Sequence, residues 1–312
     1  MKLSIVTTLF KSAPYIDEFY RRAVAAAQQI TDAFEIIFVN DGSPDESLEK
    51  AIKLYEADPR VVVVDLSRNF GHHKAMMTGL EHASGELIFL IDSDLEEAPE
   101  WLLDFHRDIV EKNVDVVFGQ QQKRKGGWFE RWSGEIYYSA LNILGNVEHP
   151  RNIVTTRLMS RRYVDSLLSH RERELVISYL WVITGFKQHA RPVQKGTKSA
   201  STYSLARRIG LGVMTISSFS DMPLKLAFYT GFFILCGAVV YTAYLLVLRI
   251  FLSQMLDGWT SVMASIWMLG GLIIFFIGLI GLYLAKIFNE VKQRPYTIVR
   301  GIYGQSKSGH QR

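Results

Sequence analysis

The stretch Leu87-Ile88-Phe89-Leu90-Ile91-Asp92-Ser93-Asp94-Leu95-Glu96-Glu97 decides the fold. A short unbroken apolar run of this length reads as a strand buried on both faces. Two carboxylates follow at once, where the strand hands over to a loop. The same pattern recurs around it. Leu3–Leu9 is a β-rich run. Phe34–Val39 is a second, ending in Asn40-Asp41-Gly42-Ser43-Pro44-Asp45, and Val61–Leu66 a third, ending in Ser67-Arg68-Asn69-Phe70-Gly71. Val114–Gly119 is one more. Helical patterns over Ala13–Ile30, Asp45–Ala57, His72–Ala83 and Pro99–Lys112 separate them. Near-continuous hydrophobic strands alternating with amphipathic helices predict a doubly wound α/β domain with a mostly parallel sheet. Ligands of such sheets bind beyond the carboxyl ends of the strands.

The whole chain has 312 residues, 48% of them hydrophobic, and a formal net charge of +4. That composition excludes intrinsic disorder. A single cysteine excludes a disulfide framework and any multi-cysteine metal site. The apolar residues are unevenly spread: from Leu226 to Leu284 the only charges are Arg249 and Asp257. Leu226–Leu248 would reach roughly 34 Å as a helix, enough to cross a hydrocarbon core of ~30 Å. Val262–Leu284 is a second such run, so a two-helix transmembrane hairpin with a turn at Ser253–Gly258 is expected. Lys225 precedes it, and Lys286, Lys292, Arg294, Arg300 and Lys307 follow, which predicts both termini in the cytoplasm. Leu205, Ile209, Val213 and Ile216, with Arg207 and Arg208 between them, suit a helix in the membrane interface. Gly270, Gly271, Gly278 and Gly281 offer a helix-contact face compatible with a homo-oligomer. The N-terminal Met1–Phe10 lacks a cleavable-signal pattern and reads as a strand.

Neither a G-x-G-x-x-G turn nor a Walker A loop is present, which argues against a dinucleotide dehydrogenase or a P-loop NTPase. Asp92 and Asp94, with Glu96 two residues on, form a compact hard-oxygen cluster suited to Mg²⁺ or Mn²⁺ and the phosphates of its ligand. Asp-x-Asp is also a turn or cap signal, and its place after a buried strand favours the functional reading. His72 and His73 open a helix, where they could touch a phosphate or simply sit in its cap region. Lys123, Arg124, Lys125, Arg131, Lys195 and Lys198 are available to gather anionic reactants, or to meet solvent or anionic lipid. No nucleic-acid partner is expected.

Taken together, Thr7-Thr8-Leu9-Phe10, Val39-Asn40-Asp41-Gly42-Ser43, Ser67-Arg68-Asn69-Phe70-Gly71 and Asp92-Ser93-Asp94 resemble, in that order, family-2 glycosyltransferases of the GT-A fold. With the C-terminal hairpin, the chain is similar to the polyisoprenyl-phosphate group of that family. Lys195–Ser204 resembles the group's Gly-x-Ser-x-Tyr region before the membrane. The resemblance implies a cytoplasmic catalytic domain over 1–203, an interfacial region over 204–222, two transmembrane helices within 223–286 and a cytoplasmic tail over 287–312. It implies inverting, metal-dependent transfer of one sugar from a nucleotide sugar, UDP-linked in the leading reading with a guanine base left open, to undecaprenyl phosphate at the bacterial inner membrane. Asp41 would accept a hydrogen bond from the nucleotide base, beside the backbone of Thr8 and Leu9. Asp92 would lie near the ribose and diphosphate, and Asp94 would bind the metal together with Asp92 and Glu96. Arg131 and Arg157 hold catalytic positions of the family pattern, with Lys123, Arg124, Lys195 and Ser201 on the acceptor and phosphate side. Two departures stand out: Lys11-Ser12 replaces Asn-Glu after the first strand, and Thr155 stands where many relatives carry Asp. A processive polysaccharide synthase is the alternative within the superfamily. Its Gln-x-x-Arg-Trp motif is met only by Arg131-Trp132, with Trp128 at the Gln position. A non-catalytic membrane scaffold that binds nucleotide sugars is the alternative outside it.

Overall fold

The apolar runs assemble into one eight-stranded sheet, which the computed structural model describes together with its helices over residues 1–121, 152–172, 177–196, 222–252 and 258–304. Strands β1 (Leu3–Leu9), β2 (Phe34–Asn40), β3 (Val61–Leu66) and β4 (Leu87–Leu90) form its parallel centre. Strand β5 (Val116–Gln121) is followed by β6 (Ile153–Ser160), which is inserted antiparallel between β4 and β5, and β7 (Gln188–Val193) pairs parallel with β5. Strand β8 (Val299–Tyr303) pairs antiparallel with β3, giving the order β7-β5-β6-β4-β1-β2-β3-β8. The expected tail over 287–312 thus contains a strand of this sheet.

Both faces of the sheet are covered, which is why its central strands carry no polar alternation. Helices α1 (Ile16–Gln28), α2 (Ser47–Ala57) and α4 (Trp101–Glu111) pack on one face, burying Phe19, Ala51 and Phe105 against Ile5, Phe38 and Phe89. Helix α3 (His72–His82), α5 (Arg161–Ser169) and α6 (Ile177–Ile183) cover the other, with Met76, Leu80, Tyr163 and Leu180 against Val6, Val39 and Leu90. Helix α3 comes unusually close to the sheet at Gly79, where a Cβ would stand 2.5 Å from Val6 Cγ1 and 2.9 Å from Val39 Cγ2. That approach places the first turn of α3 beside the end of β1.

The chain runs β1, β2, β3 to one side and then returns to place β4 on the other side of β1. The topological switch, where loops diverge and leave a crevice, is therefore between the carboxyl ends of β1 and β4.

The strands and α1–α6 belong to one compact unit; α7 (Met222–Leu252) and α8 (Trp259–Val291) belong to a second. Among the described residues, one segment is long and apolar enough to cross a membrane, Met268–Val291, and none of its most apolar window is buried. In α7 the described apolar stretch is the shorter Leu224–Ile234, so the expected pair of spans is met in one helix only. The expected interfacial helix over 204–222 and the turn at 253–257 lie outside the described residues, apart from the first residue of α7.

Candidate active site

The loops at the switch are tied together by buried polar side chains. Asp41 is 2% exposed, and its carboxylate accepts hydrogen bonds from the backbone N–H of Phe70 (2.7 Å) and Gly71 (3.1 Å). Its own N–H donates to Leu9 O at 3.0 Å. Asp41 was expected to meet a nucleotide base; here its carboxylate first pins the β3 loop onto the β1 and β2 ends. Gly42 makes this pinning sterically feasible. Its φ is +59°, and a Cβ there would lie 2.4 Å from Asn69 N. The Leu9 side chain is fully buried in the core, so only its backbone belongs to the site.

His72, at the first turn of α3, bridges the switch. Its Nδ1 is 3.0 Å from Thr8 Oγ1 on β1, and its Nε2 is 3.2 Å from Asp92 Oδ1 beyond β4. The ring remains 46% exposed on the crevice side. Burial pushes its pKa down, but the neighbouring Asp92, Asp41 and Glu97 carboxylates outweigh it and raise it above the ordinary value. Burial likewise pushes Asp92 up, and is outweighed by His72, the Thr155 hydroxyl and Lys195, so Asp92 stays ionised. A threonine at position 155 lowers the Asp92 pKa, where an Asp would repel that carboxylate.

The loop after β4 is densely acidic. Ser93 Oγ is 2.9 Å from Thr8 O and 3.0 Å from Ser12 Oγ, which fixes the loop to β1. Lys11 and Ser12 in turn donate their backbone N–H groups to Ser43 Oγ (2.7 Å) and Ser47 Oγ (3.0 Å), so the residues replacing Asn-Glu bind the β2 loop and the start of α2. Asp94 Oδ1 accepts Glu96 N at 3.0 Å; burial, then the charges of Asp92 and Glu96, raise its pKa. Glu97 is fully buried, accepts the Thr156 N–H (2.8 Å) and the Thr156 hydroxyl, and is pushed up by burial and by Asp92. Lys195 Nζ lies 3.1 Å from Glu96 Oε2 and 3.3 Å from Glu97 Oε1. Burial would lower Lys195, but Glu97, Glu96 and Asp92 hold it up at about 12.

This geometry pairs two of the expected site residues, Glu96 and Lys195, with each other and adds one residue. Glu96 turns to Lys195 rather than joining Asp92 and Asp94, and among the described residues no set of three such ligands is gathered for a metal. Lys195, expected at a phosphate, neutralises the acidic loop. Glu97 was not singled out by sequence reasoning; the only signal was its place beside Glu96 in the acid-rich loop after a buried strand. Asp92 and Asp94 still suit a hard divalent cation, which takes one or two carboxylates and completes its shell with ligand phosphates and water. Asp92 Oδ1 is buried without an aligned hydrogen bond, and the mutual repulsion that raises Asp94 is what a cation would relieve.

Arg157, expected to be catalytic, is a core residue. It is 1% exposed, its guanidinium lies over the Trp181 ring, and its Nε and Nη2 donate to Thr155 O (3.2 Å) and Val154 O (3.4 Å). Burial lowers its pKa to about 9. Lys123, Arg124, Arg131 and Ser201 lie outside the described residues, as do Lys125, Gly126–Phe129 and Lys198.

With this site in view, the likenesses to known proteins are informative. The family model described as "Glycosyl transferase family 2" matches residues 4–168, which include the loops after β1, β2, β3 and β4. A Mycobacterium tuberculosis protein, provisionally named among the glycosyltransferases, is 52% identical over 97% of this chain and 89% of its own length. An uncharacterized glycosyltransferase of Bacillus subtilis is 32% identical over 97% of this chain and 95% of its own. A prophage-derived bactoprenol glucosyl transferase of Shigella flexneri is 30% identical over 96% of this chain and 98% of its own.

Proposed function

We propose, from the premise that this chain belongs to glycosyltransferase family 2, that it transfers one sugar from a nucleotide-sugar donor to a polyisoprenyl phosphate at the membrane surface. The observation that carries this is the acidic crevice at the β1–β4 switch, where Thr8, His72, Asp92 and Asp94 converge. The acceptor is inferred from likeness to the bactoprenol glucosyl transferase, which spans both units of the chain.

In this reading the nucleotide diphosphate of a UDP-sugar lies at the switch, over the first turn of α3. Asp92 and Asp94 would hold Mg²⁺ or Mn²⁺, which when bound supplies positive charge against the donor diphosphate. His72 keeps Asp92 oriented from one side and the Thr155 hydroxyl from another. The acceptor phosphate is largely ionised near neutral pH, with a second pKa of about 6. One of its oxygens attacks the anomeric carbon as the bond to the diphosphate oxygen breaks, with inversion. No general base is required, which accounts for the tolerance of Thr155. Lys195 limits the repulsion that four carboxylates would otherwise present to two anionic reactants.

Connectivity supports the two-helix hairpin in this reading. The chain leaves the catalytic sheet after β7 and returns to it in β8. Two crossings fit this path, so a spanning α8 favours a spanning α7. The lysines and arginines flanking both helices favour a cytoplasmic catalytic unit.

The test is made on purified full-length protein in detergent, with Mn²⁺, undecaprenyl phosphate and a panel of nucleotide sugars. A lipid-linked sugar from one donor is expected, together with loss of turnover in Asp94→Ala at an unchanged elution profile. Donor binding with no lipid product across the panel would overturn the acceptor, and full turnover in Asp94→Ala would overturn the metal assignment.

A further inference from the structure

Strand β8 does more than cap the sheet. Its pairing with β3 runs Asp65↔Gly301 and then Leu66↔Val299, so Arg300 is the extra residue of a bulge. Bulges re-aim a side chain that the regular pleat would send elsewhere. Here Arg300 Nε donates to Asp65 Oδ2 at 2.6 Å. The arginine is 58% exposed, but its partner carboxylate is only 3% exposed. Asp65 Oδ1 accepts Asn40 Nδ2 at 2.8 Å, and Asn40, itself 1% exposed, accepts Ser43 N through its Oδ1 at 3.2 Å. Ser43 Oγ then accepts Lys11 N at 2.7 Å. The same terminal segment also accepts the β3 loop, through Ser67 N to Ile298 O at 2.9 Å. A continuous chain of hydrogen bonds therefore runs from the strand that follows α8 to the loop bearing Asp41 and Gly42.

We infer that Arg300 is a positioning residue for nucleotide binding, acting through Asp65 and Asn40 on the 40–43 loop. The inference rests on the reading of the strand-end loops as the nucleotide site. Its physical basis is the asymmetry of a buried charge. Asp65 can hold Asn40 in one orientation only while its other oxygen is held by a cation. Without Arg300, a nearly buried carboxylate must draw in water or turn toward it, and the Asn40 amide follows. No regular strand pairing would produce this link, and none of the residues between Arg300 and Ser43 needs to touch the ligand.

The experiment uses full-length protein in detergent with Mn²⁺. Binding of UDP and of GDP is measured by calorimetry, and hydrogen exchange is followed by mass spectrometry. Arg300→Ala is expected to weaken the nucleotide that wild type binds by about tenfold, the scale of one charge-assisted hydrogen bond. It should also speed exchange over residues 40–47 while leaving 87–91 as in wild type. Arg300→Lys, which keeps the charge with a less directed donor, should recover part of both effects. Arg294→Ala, which removes a nearby charge outside the relay, should match wild type. Wild-type affinity in Arg300→Ala overturns the inference. So does weaker binding with unchanged exchange over 40–47, or an equal loss in Arg294→Ala. If Arg300→Ala fails to fold, Arg300→Lys decides by the same two readouts, and wild-type behaviour in it overturns the inference. Wild-type protein that binds neither nucleotide overturns this inference and the nucleotide reading together.

Discussion

Replacing Asp41 by Asn separates two roles that the same residue could play. The carboxylate accepts two backbone N–H groups, from Phe70 and Gly71, at a site only 2% exposed. Asparagine has one acceptor oxygen, and its NH₂ must face the other donor. A hydrogen bond to a charged group contributes about 1.5–3 kcal/mol, and a buried N–H left without an acceptor costs about 1–3 kcal/mol. These terms overlap, so the expected loss is about 3 kcal/mol. For a domain of this size that is a fall of about 6–12 °C in the unfolding midpoint. The assay is tryptophan fluorescence of full-length protein, heated without nucleotide at one scan rate for both proteins, because membrane-protein unfolding is seldom reversible. A residue that only met a nucleotide base would leave this midpoint untouched and weaken UDP or GDP binding alone. A wild-type midpoint in Asp41→Asn therefore refutes the assignment of this carboxylate as the pin of the β3 loop.

Other substitutions test neighbouring parts of the argument. Gly42→Ala should destabilise the protein by more than about 2 kcal/mol, since the Cβ meets Asn69 N and Arg68 at positive φ; soluble, stable expression of this variant would contradict the packing. Arg157→Ala should lower the unfolding midpoint by the equivalent of about 3 kcal/mol, because it empties a core position against Trp181; inactivity at an unchanged midpoint would restore the catalytic reading. His72→Gln keeps a donor at the Nε2 position and should retain more activity than His72→Asn; the reverse order would move the working contact from Asp92 to Thr8. Burial pushes Asp58 up, but hydrogen bonds from Arg60 and Tyr20 outweigh it and hold the carboxyl at about 2, below its ordinary 3.8. A depressed folded-state value means stability that is complete above about pH 4 and is lost as the pH falls toward 2. The shift is equivalent to about 2 kcal/mol, and acid titration of Asp58→Asn should lack that component.

How far the sequence could be read depended on the range of the interaction involved. The parallel centre of the sheet was legible because a strand buried on both faces must be apolar throughout, and Leu3–Leu9, Phe34–Asn40 and Val61–Leu66 obey that rule residue by residue. The candidate site was legible for the same reason: once the strands are known, the polar residues at their carboxyl ends are the candidates. Asp92 and Asp94 needed no more than this. The antiparallel strands were harder. Ile153–Ser160 contains Thr155, Thr156 and Arg157, and β8 reads Val-Arg-Gly-Ile-Tyr, patterns that a loop or tail could equally carry.

The strands and helices of the first 120 residues, the acidic loop and the apolar C-terminal segment could therefore be read from residue order alone, because each depends on residues within one turn or one strand of each other. Which partner each charge finds was decided only by the tertiary structure. Lys195 meets Glu96 and Glu97 across nearly a hundred residues, Arg300 meets Asp65 across more than two hundred, and Asp41 spends its carboxylate on the backbone of another loop. An ionisable side chain in a sequence shows its chemistry but not its burial or its counter-ion. Those two quantities set whether Arg157 is a catalyst or a core residue, and they exist only once the chain has folded.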